Sequence, residues 1–446
     1  VWSSDLSVLS DSLFEQLQST NQNFKQRDTM LYIIGGYGRS NLANDHVTFP
    51  NLTAVSLDEL SNAVINQSSI LPYFRQIVDT NLKVTGGQLG LLDNTFYLVG
   101  GQLFDGRYNP MGPDHGPGFI QKYTNEIRTF QIDDDGVNLS ISNFTAQTDT
   151  INLHRRDYNM TPQIFPNGDK GFTAWSGVFN YSDLPYLNSV DITSAGYIVN
   201  NSFNQYLSQY HSAKLPIYDS LANAMHTIFF GGMSQFQLDS TGNLVEDQEV
   251  PFVRTISRIT RFSDGSMSEI DLGYIRMPTL VGAGSEFIPI SSYYDDEEIL
   301  KLNPIPQSKT LVGYIFGGIE STAENIFFIN DGTQSSASNV IFKVFINKSI
   351  ASLDENELTD KTILNLKAYP NPYKGKLNLE FFSPKHGTYS ITIHDALGKK
   401  VFEEEFKIAE IGTIQKKLNL SKLESGSYFM RITDGIHVDS IKIIKK

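Results

Sequence analysis

The sequence contains no cysteine. Disulfide bonds, cysteine-ligated zinc sites and thiol catalysis are therefore excluded, and each folded domain must be held together by its hydrophobic core alone. The sequence also lacks a run of about 18 consecutive apolar residues, the length that a helix needs to cross a bilayer. We therefore expect no transmembrane helix.

Basic residues are also in short supply. The chain has 35 lysines and arginines against 49 aspartates and glutamates, a formal net charge of −14, which argues against a nucleic-acid partner because phosphate binding needs a basic surface. From Leu366 onward there are 14 basic and 9 acidic residues and thus a charge of +5, which leaves −19 on the preceding part. An acidic body joined to a basic C-terminal part predicts two units with different roles.

What the sequence does contain favours β-structure. Aromatic residues make up 12% of the chain and there are 34 glycines, a composition typical of β-rich proteins. A length of 446 residues exceeds one ordinary core, so at least two domains are expected.

One pattern recurs five times in the first 350 residues. It is an apolar run that ends in two small residues, and it occupies residues 30–36, 95–101, 172–177, 227–232 and 313–318. A continuous apolar run is typical of a strand buried on both faces. Glycine at its end allows the backbone to turn where a side chain would clash.

Further strands accompany these runs. A weaker strand is predicted before each glycine pair from the second onward, at residues 83–92, 158–165, 217–225 and 280–290. Hairpins are predicted at 125–132 with 139–145 and at 256–262 with 268–273, each around an Asp- and Gly-containing turn. Four strands per repeat form the blade of a β-propeller.

The repeats resemble those of the Kelch family of β-propellers, in which an apolar second strand ends in Gly-Gly. The fold class expected for residues 1–347 is therefore an all-β, Kelch-like propeller, with five blades and with six or seven as alternatives. The fifth repeat lacks a fourth strand, and the N-terminal residues 1–6 could supply it and close the ring.

The C-terminal part begins after a mixed-charge linker at 348–365. Tyr369-Pro370-Asn371-Pro372 forms a rigid extended opening. Six strands are predicted after it, at 377–382, 389–394, 400–407, 414–420, 428–433 and 439–444. Short strands with Asp- and Gly-containing turns predict a small Ig-like β-sandwich over 366–446.

This part resembles the type A C-terminal sorting domain of the type IX secretion system of Bacteroidetes. The matching residues are Tyr369, Pro370, Asn371, Pro372, Asp395, Gly398, Lys399, Gly426, Tyr428, Lys442, Lys445 and Lys446. The alternative is an ordinary Ig-like module of a surface protein.

The resemblance implies a route of export. A Sec signal would precede Val1, and the sorting domain would dock on an outer-membrane shuttle β-barrel of the translocon. The chain would then reach the cell surface or the medium, with the sorting domain either cleaved or retained.

The candidate ligand-binding residues lie in loops of the propeller. The long Gly/Pro-rich loop after the second glycine pair contains Asp105, Arg107, Tyr108 and His115, and the segment before the third blade contains Arg155, Arg156 and Asp157. Both are also readable as solvated loops, and the acidic run 293–298 is expected to be an exposed loop. The planar guanidinium group of arginine binds carboxylates and sugars through its several N–H donors, so Arg107, Arg155 and Arg156 are candidates for ligand binding.

Two functions remain open. One is a non-enzymatic surface propeller that binds protein or glycan, including an accessory of the secretion or gliding apparatus. The other is a secreted carbohydrate-active enzyme, although no motif pairs two carboxylates and there is no Gly-x-Ser-x-Gly elbow. No cofactor or metal is expected, because the histidines are scattered without metal-ligand spacing.

Overall fold

A computed structural model describes residues 2–108, 118–239, 242–306, 309–326, 333–347, 364, 366–383, 386–395, 399–409, 412–434 and 438–446. Strands dominate these residues, and the fold is all-β, as expected. None of the helices in these ranges is long and apolar enough to cross a membrane.

The first two blades are complete four-stranded antiparallel sheets. Blade 1 has the strand order β1-β2-β5-β6 and blade 2 the order β7-β8-β11-β12, with β3–β4 and β9–β10 as separate hairpins between the second and third strands. Their bounds are β1 Asn23–Arg27, β2 Met30–Ile34, β3 Tyr37–Ser40, β4 Asp45–Thr48, β5 Asn51–Ser56, β6 Phe74–Val78, β7 Gln88–Leu92, β8 Thr95–Val99, β9 Gln102–Asp105, β10 Ile120–Tyr123, β11 Glu126–Asp134 and β12 Leu139–Thr148.

Blades 3 and 4 repeat the same order. Blade 3 is β13-β14-β15-β16, and blade 4 is β17-β18-β21-β22 with a short strand, β24, added in parallel to β17. Their bounds are β13 Asn159–Ile164, β14 Lys170–Trp175, β15 Ser189–Thr193, β16 Gly196–Asn200, β17 Ala213–Asp219, β18 Ala224–Phe230, β19 Phe236–Leu238, β20 Leu244–Glu246, β21 Thr255–Arg261 and β22 Met267–Arg276.

Blade 5 is shallower. It consists of β23 (Leu280–Pro289), β25 (Thr310–Ser321), β26 (Ser335–Ala337) and β27 (Phe342–Ile346), and both β26 and β27 pair with β25, so this sheet is only three strands deep. β24 (Leu300–Lys301) lies in the connection between β23 and β25. Five of the sheets in the described residues are thus arranged as the blades of a β-propeller, with their first strands innermost.

Most predicted strands lie where the sequence placed them, and two predictions were wrong. The predicted strand at 217–225 runs across a turn, because β17 ends at Asp219 and β18 begins at Ala224. The N-terminal stretch does not complete blade 5. Residues 2–5 form no strand, and the chain continues through a short 3-10 helix, Leu6–Val8, into helix α1 (Asp11–Leu17).

Helix α1 covers blade 1 instead. Its Leu13 packs with Ala63 of helix α2 (Leu57–Ile65) in a small apolar cluster. Gln16 is fully buried, donates to the carbonyl of Asn51 at 3.0 Å and accepts from the Thr53 hydroxyl at 2.6 Å. The N-terminus therefore serves as a cover for the sheet of blade 1.

The glycine pairs join neighbouring blades. The amide of Gly36 donates to the carbonyl of Val84 at 3.1 Å, and that of Gly101 donates to the carbonyl of Arg155 at 2.7 Å. A Cβ on Gly35, which has φ +67°, would lie 1.8 Å from the Val84 oxygen. The first repeat therefore requires glycine at this position because the next blade's backbone occupies the space of a side chain.

The C-terminal unit is a β-sandwich with its own core. One sheet has the order β28-β29-β32 and the other β31-β30-β33-β34. The bounds are β28 Lys367–Tyr369, β29 Lys376–Ser383, β30 Gly387–Asp395, β31 Lys400–Ile408, β32 Gly412–Asn419, β33 Gly426–Thr433 and β34 Val438–Lys445. The six predicted strands are present, and β28 is a seventh. Tyr389, Ile391 and Ile393 alternate into the core and are fully buried, as their pattern predicts. The predicted linker 348–365 lies outside the described residues except for Leu364.

Candidate functional site: the mouth of the propeller channel

A cavity of about 280 Å³ lies along the propeller axis. All five innermost strands, β1, β7, β13, β17 and β23, contribute residues to its walls. One end opens among the residues that lead into these strands, and the loops after the glycine pairs lie on that side. We call this end the mouth. Propellers commonly bind ligands where such loops meet.

A chain of backbone hydrogen bonds runs around the mouth. Gly86 donates to the carbonyl of Asn21 at 3.0 Å, Asp157 donates to Gly86 at 2.7 Å, His211 donates to Asp157 at 2.8 Å, and Gly284 donates to His211 at 2.8 Å. We call these five residues, Asn21, Gly86, Asp157, His211 and Gly284, the collar. In the first four blades the collar residue lies two positions before the innermost strand. Each blade thus presents one collar position to the cavity or its edge.

Collar side chains give the mouth a polar, charged character. Asp157 accepts a hydrogen bond from the Asn21 amide at 3.1 Å and forms an ion pair with Arg156. Burial alone would lower the pKa of Arg156, but Asp157 outweighs it and the pKa is raised. Asn21 and Asp157 adopt left-handed conformations with φ 52° and 49°, which asparagine and aspartate tolerate best after glycine.

Aromatic rings surround this ion pair. Arg156 donates to the Tyr123 hydroxyl at 3.1 Å, and its guanidinium lies 5.0 Å from the centre of the Phe179 ring. Burial raises the pKa of Tyr210, and its hydrogen bond with Asp157 raises it further. Tyr108 lies within electrostatic range of both Arg156 and Asp157. Its side chain is 53% exposed.

A stack of three rings extends the aromatic surface outward. Tyr123 and His154 stack with centroids 3.7 Å apart, and His154 stacks on Tyr181 at 4.3 Å. Burial lowers the pKa of His154, so the ring is neutral at physiological pH. The mouth therefore combines flat apolar faces with a fixed arginine–aspartate pair.

The structure brings together only some of the residues that the sequence singled out. Arg156, Asp157 and Tyr108 lie at the mouth, whereas Asp105 pairs with Lys83 at 3.0 Å. Arg107 is exposed, and His115 lies outside the described residues.

Arg155 points into the protein. It is almost completely buried, donates to the carbonyls of Asn152 at 2.6 Å and Asn188 at 3.0 Å, and lies 4.2 Å from the centre of the Tyr186 ring. Burial lowers its pKa to about 10. These contacts give Arg155 a structural role at the joint between blades 2 and 3.

Sequence reasoning missed the other mouth residues. Tyr123 ends strand β10, Phe179 and Tyr181 lie in the connection between β14 and β15, and Tyr210 precedes β17. The four residues share no motif. His211 could have been found from its place two residues before an innermost strand, the position that Asp157 also holds.

Deeper in the cavity, three ionisable side chains form a cluster. Glu286 of β23 lies 2.9 Å from His211 Nε2 and 3.4 Å from Lys214 Nζ. Burial would raise the pKa of Glu286, but Lys214 and His211 outweigh it and lower the pKa to about 2. The carboxylate is therefore ionised and unsuited to donate a proton near neutral pH.

The acidic run lies against the far end of the cavity. Glu298 pairs with Lys25 of blade 1 at 2.7 Å, and Glu297 pairs with Lys170 of blade 3 at 2.6 Å. β24 continues the segment along β17. The expectation of an exposed loop holds only for Asp296 and Glu298. The other residues of the run are half-buried, and the run bridges three blades.

Three acidic groups with raised pKa values lie outside the cavity. Burial raises the pKa of Glu269 to about 8 and also raises those of Asp271 and Asp295, but none of the three lines the cavity. Within these described ranges there is no group of three or more His, Asp or Glu side chains placed to hold a metal ion.

The opening and closing segments of the C-terminal sandwich are bonded to each other. The Asn371 side chain donates to the Lys442 carbonyl at 2.8 Å and accepts from the Ile444 amide at 2.9 Å. The Tyr373 amide donates to Ile444 at 2.9 Å, and Lys446 donates back to Tyr373 at 2.9 Å. The opening segment thus pairs with β34 along its outer edge.

Lys445 is buried although it is part of a lysine-rich end. Its side chain donates to the carbonyls of Lys374 at 2.9 Å, Ser421 at 3.1 Å and Leu420 at 3.3 Å, and the residue is 8% exposed. Lys442 and Lys446, by contrast, are exposed. The three lysines therefore have different roles.

The remaining motif residues shape turns. Asp395 accepts from the Lys399 amide at 3.0 Å, and the buried Tyr428 donates its hydroxyl to the Glu424 carbonyl at 2.9 Å beside Gly426. Gly398 lies outside the described residues.

Comparison with protein families identifies this unit. Residues 367–446 match the family described as secretion system C-terminal sorting domain. They are a sorting domain. The sorting domain indicates a cargo of the type IX secretion system that is exported to the cell surface or the extracellular space, and it implies interaction with the type IX machinery. No curated protein matches the chain.

Three solved structures show distant similarity. YjhT is 10% identical with a TM-score of 0.40, over 72% of this chain and 84% of YjhT. Dimeric latent PorU from Porphyromonas gingivalis is 11% identical with a TM-score of 0.18, over 87% of this chain and 37% of PorU. PorZ, a surface component of the type IX secretion system of the same organism, is 8% identical with a TM-score of 0.14, over 95% of this chain and 75% of PorZ.

Proposed function

We propose that the chain is a surface-delivered binding protein without enzymatic activity, whose Kelch-like propeller recognises a glycan at the mouth of its channel. Residues 1–347 are the binding domain, 348–365 the linker and 366–446 the sorting domain, which docks on the outer-membrane shuttle barrel of the translocon.

The observation that carries this proposal is the ion pair of Arg156 and Asp157 beside the Tyr123 ring. Tyr108 lies within electrostatic range of this pair. A pyranose ring has an apolar C–H face that packs on an aromatic ring, and hydroxyls that need donors and acceptors in fixed positions. Concave sites with aromatic walls and a few fixed polar groups are typical of small-ligand binding.

A non-enzymatic role is favoured by the electrostatics of the cavity. Hydrolysis of a glycosidic bond needs one carboxyl group that keeps its proton near neutral pH beside a second that is ionised. In the described cavity Asp157 and Glu286 are both paired with cations.

A glycan array probed with the full chain tests the proposal. We expect binding to a defined set of glycans and a roughly tenfold loss of affinity in Tyr108→Ala, since removing one stacked ring costs about 1.5 kcal/mol. Tyr369→Ala removes a comparably exposed tyrosine from the sorting domain and is expected to bind normally. Absence of glycan binding, or equal affinity of wild type and Tyr108→Ala, would overturn the proposal.

A further inference from the structure

The outer face of the sheet β31-β30-β33-β34 carries two large apolar residues. Strand alternation directs Tyr428, Met430 and Ile432 into the core, so Phe429 points outward and is 52% exposed. On β34 the same alternation leaves Ile444 outward and 38% exposed, while its neighbour Ile443 is fully buried. These two side chains leave apolar surface available to a partner.

These two residues are close together. Phe429 pairs directly with Lys442, and Ile444 pairs with Ser427, so Phe429 and Ile444 are diagonal neighbours about 7–8 Å apart. Among the described side chains on this face the other outward positions are polar, namely Thr388, Ser390, Thr392, His394, Glu403, Glu405, Lys407, Ser427, Arg431 and Lys442. The apolar pair is therefore confined to the last two strands.

Charge is distributed unevenly across the same face. Lys442 and Arg431 flank the apolar pair, and Lys446 follows it in the chain. β31, at the opposite edge of the sheet, carries Glu403 and Glu405 together with Lys400 and Lys407, so its outward charges balance. A partner that covers Phe429 and Ile444 thus meets basic side chains, and an acidic surface is complementary to them.

We propose that Phe429, Lys442 and Ile444 form the docking face of the sorting domain for an acidic, partly apolar protein surface of the type IX export machinery. The inference rests on the sorting function of residues 367–446 and adds the surface that performs it. Asn371 and Lys445 act differently, because their polar side-chain atoms are bonded within the domain and hold β34 in place.

The test is export of full-length variants in a bacterium with a type IX system. We expect Phe429→Ser/Ile444→Ser to accumulate in the periplasm, with at least a tenfold fall in surface and released protein. Lys442→Glu should behave in the same way. The matched control, Glu405→Ser/Lys407→Ser, changes the same outer face away from the apolar pair and should be exported normally.

Each failure has a separate signature. Deletion of residues 366–446 should trap the protein in the periplasm, and normal export after that deletion would refute the sorting function itself. Trapping of the deletion together with normal export of the double apolar variant would refute only the docking face. Hydrogen exchange of the purified variants shows whether the domain is folded. If the apolar variant is unfolded, normal export of Lys442→Glu refutes the docking face and its retention supports it.

Discussion

Substitution of Lys445 by methionine tests whether the lysine near the C-terminus holds the sorting domain together. Methionine keeps an unbranched apolar side chain but removes the ammonium group that bonds three backbone carbonyls. The substitution also removes the cost of burying a charge, so the net effect comes from the carbonyls left without a donor. An unsatisfied buried acceptor costs about 1–3 kcal/mol. The carbonyls of Lys374 and Ser421 lie in exposed turns, so water can partly replace the hydrogen bonds that Lys445 donates to them.

We therefore expect Lys445→Met to destabilise the sorting domain by about 2–3 kcal/mol. A loss of about 1 kcal/mol lowers the midpoint of thermal unfolding by roughly 4–8 °C in a domain of this size, so a fall of about 10–20 °C is expected. Lys446→Met is the matched control, because this neighbouring side chain is exposed.

The assay separates the two units of the full chain. Both tryptophans, Trp2 and Trp175, precede the sorting domain, so tryptophan fluorescence follows the propeller and should be unchanged. Hydrogen exchange of peptides from 366–446 follows the sorting domain and should accelerate in Lys445→Met alone. Equal exchange in the two methionine variants would show that the three hydrogen bonds do not stabilise the domain.

Two further predictions concern the propeller. Gly35→Ala should lower the free energy of unfolding in urea by about 3 kcal/mol or more, because the new Cβ would collide with the Val84 carbonyl. Gly136→Ala is the control and should lower it by only about 1–2 kcal/mol, since φ is +87° there but nothing lies within 4 Å. Equal losses would mean that φ strain, and not the contact between blades, requires glycine. The pKa of Glu286 falls from an ordinary 4.5 to about 2, so its contribution to stability is complete above pH 4.5 and is lost as the pH falls towards 2. The difference in unfolding midpoint between wild type and Glu286→Gln should shrink over that range, and a constant difference would argue against an ionised Glu286 paired with Lys214.

Much of the fold was predictable because short sequence patterns mark its strands. The apolar runs with glycine pairs mark the second strand of each blade, and the alternation at Tyr389, Ile391 and Ile393 marks a core strand. The N-terminus was not predictable from the same signals. Residues 1–6 have enough apolar character for a strand. Gln16 is instead buried against blade 1, and this contact holds helix α1 over the sheet of that blade.

The candidate site was predictable only in part. Arg156 and Asp157 stand out in the sequence as charged residues before a buried strand, but so does Arg155, which the fold turns inward. Asp157 has a left-handed φ of 49°, so the side chains of this segment do not simply alternate. Only the packing of blades 2 and 3 decides which of them face the cavity. The aromatic partners Tyr123, at the end of β10, and Phe179, in the connection after β14, are distant in the sequence and share no pattern.

The sequence by itself determined that the chain ends in a sorting domain, because its turns, opening segment and closing lysines are local features that occur in a defined order. It also determined that the first unit is built from glycine-ended strands. Only the tertiary structure decided that Asn21, Gly86, Asp157, His211 and Gly284 meet at one mouth. Their contacts are backbone hydrogen bonds between blades, and backbone groups are the same in every residue type except proline.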